Sequence, residues 1–441
     1  MSTRFAWLLG AGVVLAAMSL LLACNSLYNR QSNGLMLVAS QGSSIVQTFS
    51  FSLASGVVTG ISNPTSDTTD LVCILPGIPA SMVLDPAGNF AYTIINSTDT
   101  CTNPTQTGIL ALKVNSDGTI ANKGTVIPDP NPVALTMDSA GKFLFVAEGL
   151  GTLAAANSNP NCPQTLTIPA QYGVCVYAIS NGSLTPVPQT FTLPPQQGFQ
   201  TSNFVALALT PTILPGVING TQTSACFQQA APTTEFLYMV DQPNNAVWQF
   251  AVNISTGTIT PTPGLNPVAA TDQIPAGIAT DPCDRFVYVT DSLSGKLSAY
   301  VICNAAVVNQ CPVPDGHLIP VANSPFSLTG TTVSPGPVVV DPLGNNVYVV
   351  DTLGSHIFIF HISPVTGSVT AGIPASVPTG QIGAVGPGRT QIVIRSDGNW
   401  MFVSNFTSGT VSQFSIVPQT GALATLPDIT TDNQPTGIAV K

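Results

Sequence analysis

The chain of 441 residues has little charge of either sign, since charged residues make up 7% of it and Lys and Arg together number 10. Proteins that bind nucleic acid present a basic stripe or patch, which so few scattered cations do not provide. Long helices are equally disfavoured, because 38 Gly and 38 Pro interrupt the chain throughout. The composition therefore predicts an all-β protein with a neutral polar surface and no nucleic-acid partner.

Several motifs of catalysis and cofactor binding are also missing. The sequence has no G-x-S-x-G elbow, no G-x-x-x-x-G-K loop, no dinucleotide fingerprint and no C-x-x-C pair. Histidine occurs only as His317, His356 and His361. The last two are five residues apart on a predicted strand, so their side chains would point to opposite faces and could not chelate one metal. We therefore expect no metal and no cofactor, and structural or surface roles for the histidines.

The N-terminal segment predicts export. Arg4 precedes the apolar run FAWLLGAGVVLAAMSLLLA (5–23), which is typical of a signal peptide over residues 1–23. A transmembrane anchor is the alternative, because about 20 apolar residues can span a bilayer. The phrase LLAC (21–24) resembles the bacterial lipobox, which implies cleavage before Cys24, lipidation of that cysteine and a tether over residues 24–33. By the rule for such lipoproteins, Asn25 implies an outer-membrane lipoprotein that faces the periplasm or the cell surface.

One phrase recurs along the rest of the chain: an apolar strand, a turn, a second strand, a polar turn and a third strand, often with a TG or DG turn before a fourth. The first two strands read ASMVLDPAGNFAYTI (80–94), VALTMDSAGKFLFVA (133–147), AGIATDPCDRFVYVT (276–290), PVVVDPLGNNVYVV (337–350), QIVIRSDGNWMFVS (391–404) and, across an insertion, FVALALTPT (204–212) with EFLYMVD (235–241). Asp, Pro and Gly are favoured in the tight turn between these strands. This recurrence indicates a repeat architecture.

Seven third strands share one register, in which an apolar residue precedes a large ring or a leucine by three. The pairs are Val46/Phe49, Ile109/Leu112, Val174/Tyr177, Val247/Phe250, Leu297/Tyr300, Ile357/Phe360 and Val411/Phe414. We expect these side chains to pack between neighbouring blades rather than to form a stripe that binds a ligand.

The count of strands predicts how the ring closes. The sequence contains seven third strands but only six complete copies of the first and second strands. GLMLVAS (34–40) matches a second strand, and QPTGIAVK (434–441) matches a first strand. We therefore predict a monomeric seven-bladed β-propeller of four-stranded blades over residues 34–441, with the C-terminal octet as the innermost strand of the N-terminal blade. Such closure removes open sheet edges. An eight-bladed ring or a two-sheet sandwich is the alternative, but neither explains both incomplete ends.

The eight cysteines after Cys24 predict disulfides, because an even number in an exported chain favours them. In a four-stranded meander the 1–2 and 3–4 loops share one face, and the 2–3 and 4–1 loops share the other. The pairings that we propose, all of which obey this rule, are Cys73–Cys101, Cys162–Cys175, Cys226–Cys283 and Cys303–Cys311. Sequence alone does not determine the connectivity.

The repeat phrase DPxGxxxYVxDxxSGxVxxF resembles the YVTN repeat and the propeller family of 6-phosphogluconolactonase-like lactonases. The resemblance covers residues 34–441 and implies metal-free opening of a sugar-acid lactone by charged residues at one mouth of the central channel. Members of the family carry a Pro-His-x-His phrase and a Gly-Pro-Arg-His phrase followed by Asn-Glu. Here Arg389 and Asn405 match the family, whereas Asn131, Thr390 and Phe406 stand where the resemblance implies His, His and Glu.

The fourth residues of the YVTN-like tetrads are further candidates for a site. They are Ser40, Ile95, Glu148, Asp241, Asp291, Asp351 and Asn405. One hypothesis is a cation or a basic ligand held by these carboxylates over the channel. The other is that each side chain caps its own turn, as Asp and Asn commonly do. Glu148 is the exception, because Glu caps turns poorly.

Two functions remain open at this point. The first is a lipid-anchored binding or scaffolding module, with a protein or carbohydrate ligand held by surface loops such as the insertions 150–173 and 211–234. The second is a lactone hydrolase, for which Arg389 and Glu148 are the plausible polar participants. No evident base stands beside Arg389 in the sequence, which favours the binding module.

Overall fold

A computed structural model describes most of the region after the tether. The described residues are 33–61, 78–96, 107–129, 131–149, 164–165, 173–190, 202–211, 217–218, 222–223, 234–262, 268–304, 315–329, 333–383, 389–418 and 420–441. Strands form nearly all the regular structure of this part, and its helical content is the 3-10 turn Gln41–Ser43. None of its helices is long and apolar enough to span a membrane.

Seven antiparallel sheets of four or five strands form the blades of a propeller, numbered here along the chain from blade 1. The innermost strands are β35 (Pro435–Val440), β4 (Ile78–Leu84), β8 (Pro132–Met137), β14 (Phe204–Leu209), β21 (Pro275–Thr280), β26 (Pro335–Val340) and β30 (Ile392–Ile394). The second strands are β1 (Asn33–Ser40), β5 (Phe90–Asn96), β9 (Phe143–Glu148), β17 (Glu235–Asp241), β22 (Phe286–Asp291), β27 (Asn346–Asp351) and β31 (Trp400–Asn405).

The outer strands complete each blade. The third strands are β2 (Ile45–Ser52), β6 (Gly108–Val114), β11 (Val174–Ser180), β18 (Ala246–Val252), β23 (Lys296–Ile302), β28 (His356–Ile362) and β32 (Thr410–Ile416). The fourth strands are β3 (Val58–Gly60), β7 (Ile120–Pro128), β12 (Ser183–Pro186), β19 (Ile259–Pro261), β24 (Leu318–Pro320), β29 (Val369–Pro378) and β33 (Leu423–Thr425). Two small pairs lie apart from the blades: β10 (Gln164–Thr165) with β13 (Gln189–Thr190), and β15 (Val217–Ile218) with β16 (Gln222–Thr223).

The predicted seven-bladed propeller is confirmed, and blades 4, 5 and 7 carry one short strand in addition to the predicted four. These blades carry short fifth strands, β20 (Val268–Ala270), β25 (Phe326–Ser327) and β34 (Ile429–Thr430), which pair with the third strand beside the fourth. In blade 6 a single long β29 follows β28 through an irregularity in the pairing. The fifth strands are therefore the far halves of outer strands whose path is interrupted.

The C-terminal strand closes the ring as predicted. β35 pairs antiparallel with β1, with Met36 opposite Val440 and Val38 opposite Ile438. Leu35 and Lys441 also exchange backbone hydrogen bonds of 3.2 and 2.9 Å. Blade 1 thus takes its innermost strand from one end of the chain and its other three strands from the other.

The core lies between the blades, as the third-strand pattern predicts. All fourteen residues of the predicted third-strand pairs are buried. At the junction of blades 7 and 1, the rings of Phe51 and Phe402 meet edge to face with centroids 5.2 Å apart. Such aromatic pairs add to the stabilisation that comes from burial of apolar surface.

The tyrosine that opens several tetrads connects consecutive blades. The hydroxyl of Tyr288 in blade 5 donates a hydrogen bond to the carbonyl oxygen of Gly367 in blade 6, at 3.0 Å. Tyr348 does the same to Gly421 in blade 7, at 2.9 Å. Both glycines lie in the turn before a fourth strand and have positive φ values of 73° and 64°. The TG turn and the tetrad tyrosine are therefore two parts of one contact between blades.

The loops of the blades project from two faces. One face carries the loops that join second to third strands and those that enter the innermost strands; we call it the entry face. The opposite face carries the DPxG turns, in which the aspartate accepts hydrogen bonds from backbone amides. Asp138 Oδ1, for example, accepts from the amides of Lys142 and Phe143, both at 2.6 Å.

Candidate functional site

The fourth tetrad residues lie at equivalent positions on the entry face. Six of them pair with a residue at the start of an innermost strand: Ser40–Pro435, Ile95–Pro79, Glu148–Pro132, Asp241–Phe204, Asp291–Pro275 and Asp351–Pro335. An irregularity in the pairing follows each of these positions. The alignment made from the sequence is therefore correct, including the place of Ile95.

The three aspartates and Asn405 of this set form hydrogen bonds within their own blades. The hydrogen bonds run from Trp248 Nε1 to Asp241 Oδ2 (2.9 Å), from Ser298 Oγ to Asp291 Oδ2 (2.7 Å), from Ser334 N to Asp351 Oδ1 (2.9 Å) and from Asn405 Nδ2 to Ser412 Oγ (2.9 Å). Their partners lie on the third strand or in the adjacent loops. This bonding supports the turn-capping interpretation over a shared cation site at the channel.

Glu148 differs from these residues because its partner is another acid. Its carboxyl group is buried, with 6% of the residue exposed, and it is hydrogen-bonded to the carboxyl group of Asp129. Asp129 lies in the loop that enters β8 and also accepts a hydrogen bond from the hydroxyl of Tyr177, at 3.0 Å. The Sγ atom of Cys175 is 3.3 Å from Glu148 Oε1. Asp129 was not identified in the sequence, although the DPNP phrase before β8 contains it.

Both acids of this pair have raised pKa values. Burial, followed by the negative charge of Asp129, raises the pKa of Glu148 well above its usual value. Burial also raises the pKa of Asp129, although the hydrogen bonds from Glu148 and Tyr177 oppose that shift. Burial thus disfavours ionisation of the pair as a whole, and the upward shift is the stronger one at Glu148. A carboxyl group buried inside a blade beside a second acid is poorly placed to activate water at the channel mouth.

Asp129, Glu148 and Cys175 place three potential ligand atoms within 4.8 Å of one another. Cys175 is disulfide-bonded, however, and a metal is bound by the thiolate form of cysteine. Without the cysteine, Asp129 and Glu148 are two ligands, fewer than the three or four that protein metal sites usually supply.

Arg389 precedes β30 and is exposed on the entry face. Its guanidinium carbon lies 5.8 Å from the centroid of the Phe406 ring, a cation–π distance. The other arginines in the described part of the chain, Arg285 and Arg395, form salt bridges with Asp281 and Asp397. Arg389 is thus the arginine of the described residues that has no carboxylate partner.

Gln391, two residues further on, bridges three blades beside the channel. Its Oε1 accepts hydrogen bonds from the amides of Met82 (3.3 Å) and Ile438 (3.0 Å), and its Nε2 donates to the carbonyl oxygen of Met82 (3.0 Å). The side chain therefore satisfies backbone groups of β4 and β35 from blade 7. Gln391 was not among the candidates predicted from the sequence. The large side chain of Gln391 could have marked it in the sequence, because the other six blades have a smaller residue at the equivalent position. These residues are Gly437, Ser81, Ala134, Ala206, Gly277 and Pro337.

Arg389 and Glu148 share the entry face but are not neighbours. Arg389 belongs to blade 7 and Glu148 to blade 3, and blades 1 and 2 lie between them in the ring. Arg389 is exposed at the mouth, whereas Glu148 is buried inside its blade. The fold does not bring the two sequence candidates together as an acid–base pair.

The three histidines lie at three separate positions in blades 5 and 6. His361 Nδ1 is 2.7 Å from Asn346 Oδ1, and His317 is hydrogen-bonded to Asp315 on the opposite face. His356 begins β28 on the entry face and is partly buried. His356 and His361 lie near opposite ends of β28, and His317 belongs to blade 5, so the three histidines do not form one cluster.

The insertions 150–173 and 211–234 fall almost entirely outside the described residues, as do the cysteines apart from Cys175, Cys283 and Cys303.

A groove of about 430 Å³ opens at the outer rim, between the third and fourth strands of blades 7 and 1. Phe49, Val57, Leu426 and Ile429 contribute apolar surface, and Asp428 is a charged residue in its lining. The groove lies among the outer strands, whereas Arg389 lies just before the innermost strand β30. It is therefore separate from the channel mouth.

Comparisons with known proteins agree with this architecture. Residues 317–440 match the model of a family described as lactonase, 7-bladed beta-propeller. No curated protein matches the sequence. Among solved structures, a provisionally named 6-phosphogluconolactonase from Bacteroides fragilis is similar with a TM-score of 0.60 and 17% identity, over 93% of this chain and 98% of its own.

Two further structures resemble the chain to the same degree. A provisionally named 6-phosphogluconolactonase from Bacteroides uniformis has a TM-score of 0.62 and 15% identity, over 93% of this chain and 100% of its own. The periplasmic gluconolactonase of Pseudomonas aeruginosa has a TM-score of 0.59 and 15% identity, over 93% and 99%. Identities this low show a shared fold. The chain is therefore a seven-bladed β-propeller with the fold of 6-phosphogluconolactonase-like proteins and the sequence pattern of the lactonase family over residues 317–440.

Proposed function

We propose that this chain is an exported, lipid-anchored propeller that binds a ligand at the entry face around Arg389 and does not open a lactone ring. The observation that carries the proposal is the separation of Arg389 from an acid–base partner. Lactone opening requires a base within hydrogen-bond reach of the attacking water. Glu148 is buried, has a raised pKa and lies on another blade, and Asn131 and Thr390 stand where the family resemblance implies histidines.

The same geometry suits recognition. Arg389 presents five N–H donors from an exposed position, and its lack of a carboxylate partner leaves them available for an anionic or carbonyl oxygen. The ring of Phe406 beneath it offers an apolar surface for the body of a ligand such as a sugar ring. A sugar acid, or the acidic group of a larger carbohydrate, fits these two features.

The proposal that the chain is anchored in the cell envelope rests on the sequence. The apolar run 5–23 and the LLAC phrase that ends at Cys24 support a lipoprotein attached to the outer membrane. Three described cysteines are disulfide-bonded, which suits an oxidising compartment. A phosphorylated lactone of the cytosol would not be the ligand in that location.

A lactone hydrolase is the second candidate. The lactonase family model and the likeness to the periplasmic gluconolactonase of Pseudomonas aeruginosa favour it. In that case Arg389 would polarise the lactone carbonyl, and a residue other than Glu148 would act as the general base.

Binding can be tested by calorimetric titration of the full chain with gluconate. We expect Arg389→Ala to weaken binding at least tenfold, because the variant loses the exposed guanidinium that would pair with the carboxylate. Arg395→Ala is the matched control: it removes the same charge from the same blade, but at the opposite face, and should leave the affinity unchanged. Equal losses in both variants would point to general charge attraction and would contradict a site at Arg389.

A further inference from the structure

The groove at the outer rim exists because two outer strands are short. In blade 7 the outer strand is interrupted between β33 and β34, at Leu426, Pro427 and Asp428. In blade 1 the fourth strand, β3, has three residues and follows a turn that contains Gly56 and Val57. The groove of about 430 Å³ lies between these two segments, and we call it the rim groove. Its volume lies in the range of pockets that hold small organic molecules.

Most of the side chains that line the rim groove are apolar. Phe49 and Ile429 are buried, and Leu426 is partly buried against them. All three belong to the hydrophobic cluster at the junction of blades 7 and 1, so this part of the lining is packed in place. Val57 differs, because 64% of it is exposed. An apolar group that covers Val57 would remove further apolar surface from water, which is favourable.

The carboxylate of Asp428 is held in the rim groove by side chains of β32. Ser412 Oγ accepts hydrogen bonds from Asn405 Nδ2 (2.9 Å) and from the amide of Gly380 (3.0 Å). The single hydroxyl proton of Ser412 is therefore directed to Asp428 Oδ1, 2.9 Å away. Thr410 Oγ1 lies 3.4 Å from the other carboxylate oxygen. These contacts make Asp428 an acceptor, and its remaining lone pairs are available to a donor in the groove.

The charges around the rim groove favour a cationic ligand. Asp428 is the one charged residue among the described residues that line it. The chain as a whole has 20 Asp and Glu against 10 Lys and Arg, so its overall field also attracts cations. An ammonium group beside Asp428 would form a charge-assisted hydrogen bond, whereas an anion there would be repelled.

We propose that the rim groove is a binding site for a small organic amine with an apolar body. The ammonium group donates to Asp428, and the body covers the apolar side chains of the groove. A bare metal cation would leave the apolar lining uncovered, and a wholly apolar molecule would leave a carboxylate without a partner beside it. The site is separate from the sugar-acid site proposed at Arg389, and it selects the opposite charge.

The first test compares two probes that share one body, 4-phenylbutylamine and 4-phenylbutan-1-ol. Each is titrated into the full chain at pH 7, where the amine is cationic, and the dissociation constant is measured by ligand-observed nuclear magnetic resonance. We expect the amine to bind about fivefold more tightly than the alcohol, a factor typical of one exposed ion pair. Added salt should reduce this difference. Equal affinities for the two probes at low salt would overturn the proposal.

Two pairs of variants locate the site. Asp428→Asn should remove the preference for the amine, whereas Asp432→Asn should retain it, because Asp432 is hydrogen-bonded to Ser43 at the same blade junction and does not line the groove. Val57→Ser should weaken both probes about threefold through the loss of apolar contact. Val365→Ser is its control, since this valine is 74% exposed on the corresponding turn of blade 6.

Neither valine is part of the packed core, so both variants should fold. Equal losses in Asp428→Asn and Asp432→Asn would indicate a general attraction of cations to an acidic protein and would contradict a site in the groove. Unchanged affinities in Val57→Ser would contradict it as well.

Discussion

Removal of residues 434–441 should abolish the cooperative unfolding transition of the propeller. The deletion takes away β35, which pairs with β1 along its length and packs against β4 of blade 2. It also exposes the inner edge of β1 and uncovers buried residues such as Ile438. Closure of a propeller is what protects its strand edges, so an open ring should aggregate or lose fixed packing.

The measurement is thermal unfolding followed by near-ultraviolet circular dichroism, compared with the full chain. A point substitution tests the same contact without shortening the chain. A Cβ at Gly437 would lie 2.1 Å from the carbonyl oxygen of Ala80 in the next blade, whereas a Cβ at Gly60 would meet no atom within 4 Å. We expect Gly437→Ala to lower the unfolding free energy by about 3 kcal/mol and Gly60→Ala by far less. A native-like melt of the deletion would contradict the closure.

The unfolding free energy should fall as the pH rises from about 4 to about 7. Burial is the main cause that raises the pKa of Glu235, Asp284 and Asp291 to about 7 each, and it raises the pKa of Glu148 still more clearly. A group whose pKa is higher in the folded state binds more protons there than in the unfolded chain. Its contribution to stability is complete below the unfolded pKa of about 4 and is lost as the pH passes the folded value.

Asp291 isolates this effect, because its Oδ1 is buried and has no hydrogen-bond partner among the described residues. Asp291→Asn keeps the side chain neutral at every pH and retains an oxygen for the hydrogen bond from Ser298. We expect it to stabilise the protein by about 2 kcal/mol at pH 8 and to change little at pH 4.5. Chemical denaturation at the two pH values measures this, with the exposed Asp428→Asn as control. A gain of the same size at both values would contradict the assignment.

The fold was largely predictable because its information is local and repeated. Each DPxG turn and each tetrad encodes one hairpin, and seven copies encode a ring; the incomplete repeats at residues 34–40 and 434–441 then define the closure. Even the absence of a polar residue at Ile95 did not mislead the alignment, since strand register depends on the apolar pattern around it. The interrupted outer strands of blades 4, 5 and 7 were not predicted, because their pairing depends on the path of irregular loops.

The candidate site was less predictable because its contacts join distant parts of the chain. Glu148 stood out in the sequence as a glutamate in a capping position, but its partner Asp129 is 19 residues earlier, on the loop from the preceding blade. Gln391 binds backbone groups, which carry no signature in the sequence. Arg389 was identified through its match to a family phrase, and only the fold shows that two blades separate it from Glu148.

Hydrolysis of a lactone by the full chain tests the central claim most directly. Glucono-1,5-lactone is incubated with the protein, and acid release is followed against the uncatalysed rate in the same buffer. We expect no acceleration by the wild-type chain, and the same background rate for Arg389→Ala and Arg395→Ala. Turnover that is present in the wild type and in Arg395→Ala but lost in Arg389→Ala would establish a hydrolase and contradict the binding function.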